Sequence, residues 1–527
     1  MPATQRTLLA VPITAADTDS ARRQIKSAQA SQADILEFRL DHMADADWPA
    51  LLAEASLPVI ATLRPRDQGG KFTGSEDQRL QLLAEIAKAR PAFIDFEWPN
   101  FVSSASARKL ISSITCDSLD ADKPALILSL HDFQSVPANL NETIARMSSV
   151  PAAVLKVVCM ARDICDNFLL LDLPRQTTKP TIILAMGQAG QISRILAPKL
   201  GTFLSFSCLS LDESSAPGQI PLDQLRSLYH WDRITGQTSI FGVVGSPIAH
   251  SLSPAIHNAA FEQIDFPGLY LPFLVEPGYE NFTRFMDGFL KRPWLDLHGL
   301  SVTIPHKENA LRYLSERTAH INPLARKIGS LNTIVISPDG QLSGYNTDLD
   351  GALDALTLGM GITRHDLSGR KVAVLGAGGA ARAIVAGLTQ AGAQVLIYNR
   401  TASRAQQLAE EFAATAVPLA QLAKTTARII INATSIGMHP DLQASPFPSD
   451  ALKPHMTVFD TVYNPQQTLL LRQAAQAAAT TISGTDMFVR QAAKQFELWT
   501  GQPAPTDTMN HVLRRNLPPL TPPTGTA

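Results

Sequence analysis

Eight strand-sized apolar runs, separated by amphipathic segments long enough for helices, fill the chain up to about residue 222: TLLAVPI, ILEFRLD, VIATLRP, FIDFEW, ALILSLHDF, AAVLKVVCM, TIILAMG and FLSFSCL. Ile, Val, Leu and Phe dominate them with little polar alternation, the composition of strands covered on both faces. Eight such units are what a parallel (β/α)8 barrel requires, with two halves of an open sheet as the competing arrangement. At 527 residues the chain is longer than one core organises, so further domains of roughly 100–250 residues are expected.

The barrel pattern breaks into a polar stretch at about 223–237, and a new β-like run, SIFGVVG, starts at Ser239. To about residue 345 that run, LYLPFLV, LHGLSVTI and LNTIVI alternate with helical patterns, which suggests a small α/β domain. Residues 371–399 (KVAVLGAGGAARAIVAGLTQAGAQVLIYN) read as strand, Gly-rich turn, helix and strand, a mononucleotide-binding half. Residues 484–501 read as a later helix that returns to the small domain. The expected division is a barrel at 1–225, a linker at 226–237, a substrate domain at 238–346 plus 481–515, a Rossmann-type nucleotide domain at 347–480, and a Pro-rich, disordered tail at 516–527.

Charge excludes some partners. Forty-five basic against 47 acidic residues leave no field to gather nucleic acid or an anionic membrane, and no apolar stretch approaches the roughly 20 residues of a membrane-spanning helix. The four cysteines show no metal-ligand spacing, and the first apolar run begins at Thr7, leaving no room for a cleaved leader. A cytoplasmic protein acting on small molecules is expected, without nucleic acid, membrane or metal.

In such a barrel, chemistry sits at the carboxyl ends of the strands, and the runs turn polar there. Glu37, Arg39 and Asp41 interrupt the second, Arg64 closes the third, Asp95 and Glu97 end the fourth, His131 and Asp132 the fifth, and Lys156 lies inside the sixth. Taken singly, Lys156 reads as a snorkelling strand-end lysine and His131 as a satisfied core residue. Together they read as a site. Desolvation among Val and Leu favours the neutral amine, the nucleophile that forms Schiff bases with ketones, and an imidazole beside it suits proton transfer.

Through EFRLD, TLRP followed by GG, SLHDF, the lone lysine, AMGQAGQISR and SAPGQ, residues 7–222 resemble the type I 3-dehydroquinate dehydratases. The resemblance implies a TIM barrel in which Lys156 forms an imine with the substrate's 3-ketone and His131 serves as general base and acid, with no cofactor. It implies further that Arg194 pairs with the substrate carboxylate, and that Glu37, Arg39 and Arg64 hold hydroxyls and carboxylate. Met186 and Phe206 would pack the ring, with Ser215, Ala216 and Gln219 in a loop closing over it. Two departures stand out. The family carries Glu immediately before the paired glycines, where this chain has Gln68, an amide that can hydrogen-bond a histidine but cannot stabilise an imidazolium by charge; reduced activity and substitution by Asp67 are both open. VCMAR also differs from the family's small-apolar-Met-Pro run after the lysine.

In the second half, Gly376, Gly378 and Gly379 follow the strand KVAVL and open a helix whose first N–H groups can hold a pyrophosphate. The next strand ends in Asn399, Arg400 and Thr401, with Arg404 one turn on, where NAD-specific proteins carry Asp or Glu. Guanidiniums and a hydroxyl attract the 2′-phosphate of NADP; an ordinary solvated helix start is the alternative. Ser251 and Ser253 ahead of Pro254 fit plain N-caps equally well, Lys307 a surface lysine and Asp348 a turn residue.

GVVGSPIAHSLSPAIHN, LSVTIPHKE, GSLNT, GYNTDLDG, NATSIGM, DTVYNP and GTDMFVRQA together resemble the shikimate dehydrogenases over about 239–505. By that resemblance Ser251 and Ser253 bind the substrate carboxylate, and Thr303, Asn332, Tyr463 and Gln491 position ring and hydroxyls. Lys307 donates the proton to the 3-oxyanion and Asp348 orients it. The implied NADP(H) contacts are Gly376, Ala377, Gly378, Gly379, Ala380, Asn399, Arg400, Thr401, Arg404, Thr434, Met438, Gly484 and Met487. The Ser251-x-Ser253 pair is closer to shikimate-using than to quinate-using members. The first family makes 3-dehydroshikimate and the second consumes it, so a two-step enzyme is expected; a shikimate or quinate dehydrogenase carrying a weak or inactive barrel is the alternative.

Overall fold

Eight parallel strands form the first sheet of a computed structural model that describes residues 6–119, 122–249 and 251–517. They are β1 (Leu8–Ile13), β2 (Ile35–Arg39), β3 (Val59–Thr62), β4 (Phe93–Glu97), β5 (Ala125–Asp132), β6 (Val154–Met160), β7 (Thr181–Met186) and β8 (Leu204–Phe206), in the order β7-β6-β5-β4-β3-β2-β1-β8. β8 pairs in parallel with β1, and on its other side the Phe203 N–H donates to the Thr181 carbonyl at 2.7 Å. The ring is thereby nearly closed, and the open-sheet alternative falls.

Strand periodicity explains why this barrel carries a site at one end. Ile35, Ile60, Phe93, Ile127, Val154 and Leu204 belong to one buried apolar cluster. Residues two further along a strand share its face, and on these strands they are Glu37, Thr62, Asp95, Ser129, Lys156 and Phe206, so an apolar layer is capped by a polar one toward the carboxyl ends. The alternate residues Ile94, Leu126, Leu128, Leu155 and Ile183 pack outward with helix residues such as Leu83, Ile86, Ile111 and Ile144. The helix Glu76–Lys88 is started by a reciprocal cap between Ser75 and Gln78 and has acidic residues in its first turn. It brings the fully buried Arg79 beneath β4, where Nη1 donates to Glu97 Oε2 at 2.7 Å.

The chain divides into two units, Met1–Thr238 with Phe273–Val275, and Ser239–Pro272 with Glu276–Ala527. The second unit contributes two further sheets. One is mixed, in the order β10-β9-β11-β13-β14-β12, from β9 (Ser239–Gly245), β10 (Gly268–Leu274), β11 (Leu297–Val302), β12 (His320–Ile321), β13 (Thr333–Ile336) and β14 (Leu342–Tyr345), with β13 antiparallel to both neighbours. β12 and β14 have no counterpart in the apolar runs, being too short and too polar to show a period.

The other sheet is wholly parallel, in the order β17-β16-β15-β18-β19-β20, from β15 (Lys371–Leu375), β16 (Gln394–Tyr398), β17 (Thr415–Ala416), β18 (Ile429–Asn432), β19 (Thr457–Asp460) and β20 (Thr480–Ile482). The order in which successive strands are added reverses between β15 and β18, the switch point where doubly wound sheets bind ligands. The helix Gly484–Thr500 then reaches the mixed sheet, where Trp499 Nε1 donates to the Ile334 carbonyl at 3.0 Å and Gln495 Nε2 to that of Asn332 at 3.0 Å. Of the expected tail, residues 518–527 lie outside the described residues.

Candidate active sites

Lys156 is 5% exposed, and its surroundings differ from the apolar pocket that its sequence neighbours suggest. Its ammonium lies 2.8 Å from Asp95 Oδ2 and 3.3 Å from Glu37 Oε1, with the Phe206 ring centroid 4.4 Å away. The adjacent Val and Leu side chains project to the other face of β6, so inward-facing carboxylates on β2 and β4 define the lysine's electrostatics. Thr62 holds Glu37 at 3.0 Å and Ser129 holds Asp95 at 2.6 Å.

Arg64 ties this cluster to His131. It contacts Asp95 at 2.9 Å, Glu97 at 3.0 Å and Ser129 at 3.3 Å, and its Nη1 lies 3.4 Å from His131 Nδ1. Burial pushes the Asp95 carboxyl up, but Arg64 and Lys156 outweigh it and hold Asp95 well below the usual carboxylate range. Burial also disfavours a charged His131, and the positive charges of Arg64 and Lys156 add to this, so the imidazole stays neutral well below its ordinary titration range. Phe133 stacks on the imidazole with centroids 6.0 Å apart. A Cβ on Gly69 would meet the Phe133 ring at 2.4 Å, which places the Gln68 loop against that ring. Among the described residues the Gln68 side chain has no hydrogen-bond partner.

Arg39 forms a bidentate pair with Asp41 at 3.0 and 2.8 Å, and Asp41 also accepts from the Lys71 N–H at 2.9 Å. Arg194 behaves differently. It is 1% exposed and donates from Nη1 to the Phe206 carbonyl at 3.2 Å; among the described residues its Nε has no partner and no carboxylate pairs with it. Burial pulls its guanidinium down to about 10. Ser215 and Gln219 are bound to each other, the Ser215 N–H donating to Gln219 Oε1 at 2.8 Å. Their loop, with Ala216, lies on the end of β7, where the Gly187 N–H donates to the Pro217 carbonyl at 3.2 Å. Gly218 has φ +80°, and a Cβ there would strike the Gly187 carbonyl at 2.3 Å, so only glycine permits that approach. Met186 at the end of β7 is buried.

In the second unit Lys307 and Asp348 each open a helix (Lys307–Glu316 and Asp348–Met360) and form a direct ion pair. Asp348 Oδ1 accepts from Asn332 Nδ2 at 2.9 Å, which also donates to Thr347 Oγ1 at 2.9 Å and approaches Gln491 Oε1 at 3.5 Å. Lys307, Asp348, Asn332 and Gln491 are thus brought together. Tyr463 stacks on Phe488 at 4.2 Å and is hydrogen-bonded to the backbone of Leu252, between the two serines. Ser251 Oγ accepts from the Ser253 N–H at 3.3 Å, and Ser253 begins its helix with no side-chain cap, so the plain N-cap reading of Ser253 does not hold. Thr303 lies at the end of β11, its N–H donating to the Val244 carbonyl at 3.0 Å.

The Gly-rich turn fits a dinucleotide. Gly376 has φ +113°, with the Ala433 carbonyl 2.8 Å from where a Cβ would stand, whereas a Cβ on Gly378 would face open space. Gly378 caps the helix Gly379–Gln390, which includes Ala380, and the opening amides of a helix lack intrahelical acceptors. At the end of β16, Asn399 Nδ2 donates to the Thr401 carbonyl at 2.9 Å, and among the described residues no carboxylate pairs with the exposed Arg400 or Arg404. Thr434 donates to Asn432 Oδ1 at 2.6 Å, Met438 is 46% exposed, Met487 is buried, and a Cβ on Gly484 would meet the Thr461 carbonyl at 2.5 Å. Lys307 leans on the turn: a Cβ on Gly379 would lie 3.4 Å from Lys307 Cδ.

Sequence reasoning missed Thr62 and Ser129, which period-two alternation could have found, and Asn432 and Asp460, whose roles emerge only from pairing of their strands.

A barrel holding a buried lysine and a half-buried histidine, joined in one chain to a nucleotide-binding fold with a lysine–aspartate pair, defines an α/β enzyme with two sites. Residues 9–235 match the family model for type I 3-dehydroquinase, 243–334 that for the shikimate dehydrogenase substrate binding domain, 360–443 that for shikimate/quinate 5-dehydrogenase, and 484–514 that for the shikimate 5′-dehydrogenase C-terminal domain. A chloroplastic bifunctional 3-dehydroquinate dehydratase/shikimate dehydrogenase of Arabidopsis thaliana is 36% identical over 95% of this chain and 83% of its own. An NADP(+) shikimate dehydrogenase of Methanosarcina acetivorans is 42% identical over 51% of this chain and 95% of its own. A crystal structure of a shikimate dehydrogenase in complex with NADP+ superposes with a TM-score of 0.50 at 35% identity, covering 54% of this chain and 98% of the other. The chain belongs to the bifunctional 3-dehydroquinate dehydratase/shikimate dehydrogenase family.

Proposed function

We propose that this enzyme converts 3-dehydroquinate to 3-dehydroshikimate in the barrel and reduces that product to shikimate with NADPH in the second unit. One observation carries the reading: each unit holds a lysine paired with a carboxylate at the carboxyl ends of its strands, and the two sites suit consecutive steps on one metabolite.

In the barrel, Lys156 Nζ gives a proton to His131 and attacks the 3-ketone; that proton leaves with the ketone oxygen as water, giving an iminium that draws electrons from carbon 2, and water later hydrolyses the product imine to free the lysine. His131, neutral at working pH, removes the carbon 2 proton and returns it to the departing 1-hydroxyl as water. Asp95 and Glu37 hold the lysine in place. Arg64 is bound to Asp95 and Glu97 and keeps His131 neutral. Arg194, buried without a counter-ion, is the group suited to the substrate carboxylate, while Arg39 holds hydroxyls. Met186 and Phe206 pack the ring, and the loop carrying Ser215, Ala216 and Gln219 excludes water.

In the second unit, Ser251 and Ser253 hold the carboxylate, and Thr303, Asn332, Tyr463 and Gln491 position the ring. Lys307 delivers a proton to the carbonyl oxygen, and Asp348 aims that donor. NADP(H) would be held by Gly376–Ala380, Thr434, Met438, Gly484 and Met487, with Asn399, Arg400, Thr401 and Arg404 around the 2′-phosphate. When bound, it supplies the hydride.

Purified enzyme given 3-dehydroquinate without nucleotide is expected to develop enone ultraviolet absorbance that Lys156→Ala abolishes. No absorbance, in a preparation that oxidises NADPH with 3-dehydroshikimate, would leave a dehydrogenase with a silent barrel. We place the enzyme in the cytoplasm, acting on small molecules and not nucleic acid. The near balance of charge and four cysteines joined by no disulfide support this reading, and cell fractionation tests it. Among the described residues no helix is long and apolar enough to cross a membrane.

A further inference from the structure

Asp460 ends β19 with its side chain fully enclosed, and both of its oxygens are engaged. Oδ1 accepts from Asn432 Nδ2 at 2.9 Å and from the Val462 N–H at 3.0 Å, and Oδ2 accepts from Thr468 Oγ1 at 2.6 Å. The first two bonds lead to different loops. Asn432 ends the neighbouring strand β18 and organises the loop after it: Oδ1 accepts from the Thr434 N–H at 3.0 Å and its hydroxyl at 2.6 Å, while Nδ2 donates to the Ile436 carbonyl at 3.2 Å. Val462 starts the loop that presents Tyr463. The Thr461 N–H donates to the Asn432 carbonyl at 3.0 Å, so the two loops leave adjacent strands with one carboxylate between them.

We propose that Asp460 is a positioning residue that locks the nucleotide-side loop Asn432–Met438 and the substrate-side loop Val462–Tyr463 to one another, so that both ligands are bound well or poorly together. The inference rests on the reading that Thr434 and Met438 meet the nucleotide and Tyr463 the substrate.

The hydrogen bonds require an ionised acid. The Thr468 hydroxyl oxygen already accepts from the Leu471 N–H at 3.3 Å, so its proton points at Asp460, and two N–H donors point at the other oxygen. A proton on the carboxyl has no acceptor unless one of these bonds turns round. Burial lifts Asp460 to about 6, opposed among the described residues by the Thr468 hydroxyl, the Val462 N–H and the Asn432 amide, and no described charged side chain from β18, β20 or the helix Leu469–Gln476 enters its titration. A carboxyl raised in this way is ionised, and the lock intact, above about pH 6. The lock loosens as pH falls through that value.

The test measures KM for NADPH and for 3-dehydroshikimate separately between pH 5 and pH 8, in the full chain and in Asp460→Asn, which has the shape of the protonated acid. In the wild type both constants are expected to rise together, about tenfold, as pH falls through 6; in the variant both start high and neither inflects. Unchanged constants in the variant, or movement of only one, overturn the proposal. Hydrogen exchange at a single pH gives a readout independent of turnover, with 432–438 and 462–468 losing protection together in the variant while 379–390 keeps it. If the wild type does not reduce 3-dehydroshikimate, the functional reading fails, and exchange alone decides the lock: equal protection overturns it. If Asp460→Asn does not fold, Thr468→Val removes one bond that favours the carboxylate; both constants are then expected to begin rising at a higher pH than in the wild type, and an unmoved inflection overturns the proposal.

Discussion

Asp95 Oδ2 stands 2.8 Å from Lys156 Nζ in a site from which both side chains are almost wholly withdrawn from water. The same carboxylate pairs with Arg64, so Asp95→Asn leaves Lys156 with Glu37 alone and Arg64 with Glu97 alone. Removing one partner of a buried ion pair costs about 3–5 kcal/mol. The variant is therefore expected to lower the thermal midpoint of the barrel and to lose dehydratase turnover, while NADPH-dependent reduction of 3-dehydroshikimate persists. Dehydratase turnover within twofold of wild type would show that Asp95 does not set the lysine.

His131 is neutral because of its burial and the cations beside it, so the acid limb of the dehydratase rate profile is expected below the ordinary histidine range near 6.5. Gln68→Glu adds a negative charge to the loop packed on Phe133, which favours the imidazolium. That limb should move toward neutral pH. Rate profiles of the two proteins measured side by side decide this, and coincident limbs would mean residue 68 lies beyond electrostatic reach.

Lys307→Ala removes the proposed proton donor of the second site and leaves the barrel's own residues unchanged. General acid catalysis contributes about 10²–10⁴-fold, and a loss of that order in kcat for 3-dehydroshikimate reduction is expected, with dehydratase turnover unchanged. A kcat within threefold of wild type would assign the proton to another group.

Arg400→Ala and Arg404→Ala each remove a guanidinium from the end of β16. KM for NADPH is expected to rise about tenfold in each, the weight of one charge-assisted hydrogen bond, while KM for NADH changes little. Equal effects on both nucleotides would place these arginines away from the 2′-phosphate.

His257 is fully buried, lies flat on Tyr270 at 4.4 Å, and among the described residues has no partner for either ring nitrogen. Burial lowers it to about 3. The unfolded chain takes up this proton near pH 6.5 and the folded one does not until about 3, so the resulting loss of stability begins as pH drops below about 6.5 and grows toward 3. His257→Phe is expected to stabilise the chain by about 1 kcal/mol at neutral pH, with a wider margin over wild type at pH 5 in urea unfolding. A margin that stays constant with pH would contradict the assignment.

Much of this architecture is legible in the sequence because burial leaves a period. The eight apolar runs are the eight barrel strands, and Glu37, Asp95 and Lys156 stand out as charges placed two residues beyond a core position. What the sequence conceals is pairing. Lys156 is surrounded by Val and Leu in the chain and by carboxylates in space, since side chains alternate across a strand. Thr62 and Ser129 look like ordinary strand residues until their neighbours across the sheet are known. The isolation of Arg194 depends on every element packed around it, and the role of Asp460 on the register of β18 against β19, which no local pattern encodes.

The 3.4 Å between Lys307 Cδ and the place of a Cβ on Gly379 constrains the history open to this enzyme. A side chain added at Gly379 to change the turn's dealings with phosphate would rest on the Lys307 stem, whereas one added at Gly378 would meet open space. The exposed end of β16, where among the described residues no carboxylate pairs with Arg400 or Arg404, is where drift toward another nucleotide would be tolerated first.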